Sequence, residues 1–357
     1  MNNERTKRYE EVEPGLSLSG QSMIETGISY FANGWPHHFE RDLEDILAHG
    51  CTYIVHCFSE NELVFARKRT AQFFKMTREA SLGCWANPWA VMGLFGGEQF
   101  SAFVPRNPDA CQILSTGQRA PAACPSADET RVAMKSWIDA ALDAGADTIF
   151  WDEPHLYIPD WDDLQFAPEE AFACYCPRCQ SAFRAQFGQP MPEVMTAEMQ
   201  QYREGLMIDF LTEMIGYAKN KGAKNAVTLL PVSEEARESL PWDRVGAIAG
   251  LDIFGSDPYW FLHQKDYRPY IAEQMQRTLR VCENHRLTPH FWAQGFGVPA
   301  GRESELEAGI TLAVELGAQS VAVWGMHGNA AWDGVADCPE EVWRVVGRSF
   351  NRLRKKP

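Results

Sequence analysis

The chain has 357 residues, is 45% hydrophobic and 23% charged, and carries a formal net charge of -15. That is a globular profile with room for one barrel-sized domain or two ordinary ones, and so acidic a chain lacks the basic face that nucleic acid or an anionic membrane surface requires. The N-terminal stretch MNNERTKRYEEVEP has no apolar signal-peptide core, and no run of about eighteen apolar residues follows, so a cytoplasmic location is expected.

Eight short apolar runs of strand type follow one another: TGISYF (26–31), CTYIVHCF (51–58), CWANPWAV (84–91), DTIFW (147–151), AVTLLPV (226–232), LDIFGSD (251–257), PHFWAQGF (289–296) and QSVAVWG (319–325). Amphipathic runs lie between them. HFERDLEDILAHG sets Phe39, Leu43, Ile46 and Leu47 on one face and stops at Gly50. SADETRVAMKSWIDAALDAG opens on a capping box, Ser126 with Glu129, and aligns Met134, Trp137, Ile138, Ala141 and Leu142 before Gly145. ESELEAGITLAVELG buries Leu306, Ile310, Ala313 and Val314 and ends at Gly317. The joins DAGADTIFWDE and ELGAQSVAVWG repeat one plan of helix, Gly-Ala, polar residue and strand, as serial αβ units do. Strands separated by helices pair in parallel. The expected fold is therefore a (β/α)₈ barrel, read as one domain over 1–357. GLFGGE is not the G-x-G-x-x-G of a doubly wound nucleotide-binding sheet. The stretch 158–222 exceeds what one βα unit needs and is expected to be an inserted subdomain.

In such a barrel the active site lies at the C-terminal ends of the strands. Those ends supply Asn33, Trp35, His37 and His38; Ser59, Glu60 and Asn61; Trp89; Asp152, Glu153, His155 and Tyr157; Glu234; Asp257, Tyr259 and Trp260; Trp292 and Gln294; Trp324, His327 and Asn329. Acids, amides and aromatic faces together suit a sugar, whose hydroxyl pairs need polar partners and whose C–H faces need flat apolar ones. Several of these have a plainer reading. Glu60 suits a helix first turn, Asp257-Pro258 suits a turn, His37 and His38 suit a loop, and Trp85 suits the core. Asp152-Glu153 is the hardest pair to explain structurally, because two adjacent acids at the end of a buried strand repel one another and desolvate poorly. An enzyme gains from them a carboxyl group with its pKa raised towards neutrality.

Ten cysteines are present. Cys51, Cys57, Cys84 and Cys282 sit in or beside apolar runs and read as small core residues. Cys174, Cys176 and Cys179 instead crowd the polar segment CYCPRC. In family 42 β-galactosidases an Asn-Glu pair ending the fourth strand supplies the acid/base, and a C-x-C-x₂-C cluster with a following Ala-Phe-Arg helix binds structural zinc. DEPHLY followed by CYCPRCQSAFRAQF, with Cys124 in ACPSADETR, resembles that arrangement over Cys124 to Phe187. The resemblance implies that Glu153 is the general acid/base and that Cys124, Cys174, Cys176 and Cys179 hold Zn²⁺. Two departures limit it: the pair is Asp-Glu here, and the seventh strand ends in Gln294 where the family has its nucleophilic Glu.

The second carboxylate is therefore sought elsewhere, first at Asp257, then at Glu60 or Asp152. The expected activity is hydrolysis of a small oligosaccharide or glycoside. His155, Tyr157, Tyr259, Gln294, Glu60 and His327 are expected on hydroxyls, and Trp89, Trp292 and Trp324 as the sugar platform. The alternatives are a metal-dependent sugar isomerase, epimerase or lyase recruiting His155, His327 and Glu60, and a catalytically inactive sugar-binding barrel. The expected partner is a small carbohydrate, with neither nucleic acid nor membrane, and with homo-oligomerisation left open.

Overall fold

A computed structural model describes residues 23–159, 167–168, 170–233, 236, 239–331 and 333–355. Its strands are β1 (Glu25–Tyr30), β2 (Tyr53–Cys57), β3 (Gly83–Asn87), β4 (Thr148–Asp152), β5 (Lys224–Leu229), β6 (Ile253–Ser256), β7 (Thr288–Gln294) and β8 (Ser320–Trp324). They close into one parallel barrel in sequential order, with Glu25 opposite Ser320 where β1 meets β8. Each strand coincides with one of the eight apolar runs; several runs overshoot at the C-terminal end, where the chain turns into the loops of the mouth.

Alternation along the strands divides the interior from the helical layer. Tyr53, Val55, Trp85, Phe150, Ala226, Ile253, Trp292 and Ala322 fill the inside of the barrel. The helices cover the other face. Helix Pro36–Ala48 buries Phe39, Leu43 and Ile46, while Leu47 is 40% exposed, one position too far round. Helix Asp128–Ala144 buries Met134, Trp137, Ile138 and Ala141 and ends at a left-handed Gly145. Its cap is Ala127 with no side-chain bond, so the expected capping box is not formed. Ser126 instead turns its hydroxyl to the sulfurs of Cys124 and Cys179.

Two connections are elaborated. Between β3 and β4 the chain makes an antiparallel hairpin, Cys111–Ile113 with Arg119–Ala123, which the hydrophobic pattern does not reveal. Between β4 and β5 come helix Pro177–Phe187 and the 24-residue helix Ala197–Asn220. The longer one packs on helix Asp128–Ala144 and on β5, the place of the ordinary barrel helix. Among the described residues no helix is long and apolar enough to cross a membrane.

Candidate active site

Strand alternation aims Asn87, Asp152, Asp257 and Trp324 into the mouth, two residues beyond inward-facing neighbours on β3, β4, β6 and β8. Asp152 is 8% exposed and accepts a hydrogen bond from Asn87 Nδ2 at 2.9 Å. Asp257, just past β6, is 2% exposed, and its Oδ1 has no hydrogen-bond partner among the described residues.

Strict alternation would turn Glu153 away from the mouth. It adopts φ +40° instead, a left-handed conformation uncommon for a residue with a Cβ. That turn brings its half-buried carboxyl back beside Asp257, close enough for the two acids to perturb one another. Backbone held in a sparsely populated region at a strand end is the kind of local cost that functional sites carry.

Electrostatics follow from this crowding. Burial raises the pKa of Glu153. Burial, then the neighbouring Glu153 charge, holds Asp152 and Asp257 well above the carboxylate range. Like charges this close cannot all ionise, so the group retains protons under conditions where isolated acids have lost them. Tyr259 follows Asp257 by two residues. Burial and then the Asp257 charge push its phenol well above its ordinary value, so it remains an O–H donor.

A fourth acid was not anticipated. Glu98 lies in the loop after β3, at an exposed position, yet its carboxyl rests against Trp89 and close enough to Glu153 to feel its charge. Its pKa is raised, first by desolvation of the carboxyl. The two glycines before it explain the approach. A Cβ on Gly96 would sit 2.7 Å from Glu153 Oε2, and one on Gly97 would sit 1.9 Å from Trp89 Cδ1. The GGE triplet in GLFGGE was thus the available sequence signal: two missing side chains that let a loop close over a carboxyl and an indole.

The aromatic residues form a continuous run. Ring centroids are 5.1 Å apart for Phe31 and Trp89, 5.7 Å for Phe31 and Trp324, and 5.5 Å for Trp324 and Trp292. Trp89, Trp292 and Trp324 are all buried, so they make the floor and wall of the mouth while half-buried Phe31 meets solvent. Tyr259 and Phe296 stand opposite, edge to face at 5.0 Å.

Other expected ligands are drawn elsewhere. Glu60 accepts from Met92 N at 2.8 Å, Ser101 Oγ at 2.8 Å and Phe103 N at 2.6 Å, so its carboxylate ties down the β3 loop. Gln294 accepts from Phe261 N at 3.0 Å and Leu262 N at 3.2 Å and donates to the Phe296 carbonyl at 3.0 Å, joining the loops after β6 and β7. His155 is turned outward, beside Gln200, Arg203 and Ser239, with Nδ1 2.6 Å from the Glu153 carbonyl; burial pulls its pKa down to about 4. Tyr157 belongs to the hydrophobic layer beneath the hairpin, where its amide donates to Gln112. His327 lies 3.5 Å from Asp45 and packs on Trp343 of the last helix. His155, His327 and Glu60 therefore do not share a site, as the isomerase alternative requires. Glu234 lies outside the described residues.

The four cysteines do come together. Cys124 comes from the end of the hairpin, Cys174 and Cys176 from the loop after β4, and Cys179 from the first turn of helix Pro177–Phe187. All are buried, and their sulfurs lie within 4.8 Å of one another. Cys124 Sγ is 3.5 Å from Cys174, 3.7 Å from Cys176 and 3.6 Å from Cys179. A tetrahedral tetrathiolate with metal–sulfur bonds of about 2.3 Å has sulfurs about 3.8 Å apart, so the arrangement fits one metal ion with little movement. Cys111 points away, to the carbonyls of Val104 and Asn107. Among the described residues this is the one cluster of three or more such ligands.

Backbone bonds connect the thiol cluster to the acids. Tyr175 N donates to Ile113 O at 2.6 Å and Ser115 N to Phe172 O at 2.9 Å, sewing the cysteine loop to the hairpin. His155 N donates to Leu94 O and Gly96 N to Asp152 O, each at 3.0 Å, sewing the loop that carries Glu98 to the end of β4.

No protein-family model matches the chain, and no curated protein matches it. Solved structures do. The endo-1,4-beta-mannanase from Rhizomucor miehei aligns with a TM-score of 0.60 at 11% identity, over 95% of this chain and 97% of that one. The glycoside hydrolase domain of PgaB (BpsB) from Bordetella bronchiseptica gives 0.60 at 12%, over 93% and 98%. The endo-beta-1,4-mannanase from Thermotoga petrophila gives 0.59 at 11%, over 93% and 77%. The chain is a (β/α)₈ barrel of the kind these glycoside hydrolases have; at such identities the likeness shows the fold.

Proposed function

We propose that this protein is a glycoside hydrolase acting on a small oligosaccharide or glycoside. Glu153 protonates the leaving oxygen, and Asp257 is the partner carboxylate. The observation that carries this reading is the gathering of buried Asp152 and Asp257 with half-buried Glu153 at the ends of β4 and β6, beside an aromatic wall. A general acid must hold its proton near neutrality, and a buried group sharing one proton among several acids does so. Asp152, held by Asn87 Nδ2, is the neighbouring buried acid of the same strand end. Tyr259 and Glu98 bind hydroxyls at the rim. The resemblance to family 42 β-galactosidases agrees with the role given to Glu153 and says nothing of the sugar. Structural Zn²⁺ is the ion proposed for Cys124, Cys174, Cys176 and Cys179, because four thiolates saturate a tetrahedral ion and leave no position for substrate.

The test is a panel of aryl glycosides and the corresponding natural disaccharides. Glu153→Ala should lose far more rate on natural leaving groups than on activated aryl ones, since a good leaving group needs no proton. Equal loss on both would remove Glu153 from the acid role. Turnover of the panel by Glu153→Ala at the wild-type rate would remove this mouth as the site.

A further inference from the structure

Resting on the glycosidase reading, we infer that the substrate is a glycan chain of more than two sugar units, and that a unit beyond those flanking the acids lies in the cleft after β1, stacked on Trp35.

That cleft is a hollow of about 600 Å³ whose lining includes Phe31, Asn33, Trp35, His38, Arg41 and Asp42. It continues the mouth. Phe31 is the half-buried end of the aromatic run, with its ring 5.1 Å from Trp89 and 5.7 Å from Trp324. Trp89 in turn touches the loop that brings Glu98 to the acids. Phe31 and Asp42 also line a more enclosed hollow of about 240 Å³. There Asn329 is 6% exposed, and its Oδ1 has no hydrogen-bond partner among the described residues. A buried acceptor left without a donor is costly, and a sugar hydroxyl removes that cost.

Trp35 is 63% exposed, and its surroundings hold it there. Asn33 Oδ1 accepts from Trp35 N at 2.9 Å. Asn33 Nδ2 donates to Asp42 Oδ2 at 3.1 Å, and the Tyr30 hydroxyl donates to the same oxygen at 2.6 Å. Pro36 follows and restricts Trp35 to extended backbone, φ -119° and ψ 120°. Ala32 adopts φ +63°, a conformation that costs a residue with a Cβ. A polar network and a strained alanine thus fix a loop whose outcome is an indole in water, from which core packing gains nothing.

The other exposed rings fall in the same sector. Among the described Phe, Tyr and Trp residues, only Trp35, Phe65 and Phe100 are exposed, and they lie on the connections after β1, β2 and β3, three neighbouring strands of the barrel. Single exposed apolar residues are ordinary, but rings gathered on one side of a mouth mark a binding surface. Its occupant must match flat apolar faces beside polar donors. Arg41 is exposed in the cleft and has no hydrogen bond or ion pair among the described residues, so its guanidinium is free for a ligand's oxygens. A sugar offers C–H faces to the rings and hydroxyls to Arg41 and His38. A second copy of a chain with net charge -15 fits less well, because like charges oppose its approach.

The test uses the whole protein with cello-, manno-, xylo- and β-1,4-galacto-oligosaccharides of two to five units, read by binding calorimetry and by turnover. For at least one series, affinity and kcat/KM should rise by about tenfold or more between two and four units, the scale of one aromatic contact. Trp35→Ala should flatten that rise, and Trp35→Tyr should keep most of it because a ring face remains. Both variants should melt with the wild type. A flat series, or a rise that survives Trp35→Ala, overturns the subsite, and turnover in the same assays leaves the hydrolase standing. Length-dependent binding that Trp35→Ala abolishes, without turnover of any series, keeps the subsite and overturns the hydrolase in favour of a sugar-binding barrel. Neither binding nor turnover in any series overturns both. A flat series together with a dimer that Trp35→Ala dissolves, seen by light scattering, gives the rings to a second copy instead.

Discussion

The molecule gathers like groups twice, from interleaved stretches of chain: four thiols on the connections either side of β4, and four carboxyl groups at the mouth. The thiol cluster is closed. Every sulfur is buried against the others, and Ser126 faces two of them. The acid cluster is open on one side. Its members hold each other's protons, one oxygen of Asp257 is unpartnered among the described residues, and Glu98 and Glu153 reach solvent. Burying four like ligands is tolerable where a metal ion neutralises them, and burying acids is tolerable where protons do. On the proposed reading the first solution is structural and the second reversible, which is what a proton-transfer site needs.

This contrast predicts that the two clusters fail differently. The largest effect is expected at Glu153→Gln, which should lower kcat on a natural glycoside by about 10²–10⁴-fold while leaving metal content and melting temperature near wild type; a variant that melts early instead would make Glu153 structural. Next is Cys176→Ser. Metal measured by plasma mass spectrometry should fall from about one ion per chain towards none, and Tm should drop by on the order of 10 °C. Turnover per folded molecule should change little, and a large loss without unfolding would give the thiols a direct part in the chemistry.

Gly96→Ala sharpens the contrast from the other side. The added methyl meets Glu153 Oε2, the end of a side chain that can swivel. Rate should fall by about tenfold or more through misplacement of the acid, with Tm little changed. A smaller effect concerns pH. The pKa of Asp257 is raised on folding, so the native state binds the proton more tightly than the unfolded chain. The stability it contributes is present below the ordinary carboxylate range and is lost as pH rises through the raised value. Asp257→Asn should therefore melt higher than wild type, by a margin that grows from about pH 5 to pH 8; a margin that shrinks would mean the carboxylate is stabilised in place. Smallest of all, Ser126→Ala should slightly weaken metal retention against a chelator and leave kcat untouched.

The barrel was legible because each strand is an apolar run, because several intervening helices stop at glycines such as Gly145 and Gly317, and because helix and strand periods do not resemble one another. Asp152 and Asp257 were legible for the same reason, since both continue the inward alternation of their strands. His155 and Tyr157 were misplaced because the chain turns at Glu153 into a backbone conformation that side-chain pattern does not encode. Glu60 and Gln294 looked like free polar ends; their partners are backbone amides and a carbonyl of distant loops, which sequence leaves anonymous. Glu98 was hidden by distance along the chain and by glycines whose purpose is the space they leave.

Gln294 has an evolutionary corollary. Gln and Glu codons differ by one base, so a carboxylate at the end of β7 is a single mutation away. The mutation would not create a free nucleophile there. The nitrogen it replaces donates to the Phe296 carbonyl, so the new carboxylate oxygen would face that carbonyl, two acceptors without a proton between them. Its other oxygen would still be fastened to the amides of Phe261 and Leu262. A lineage carrying this hydrogen-bond arrangement could acquire the acid only after rebuilding two loops first, a barrier of contingency at a site where the genetic distance is the smallest there is.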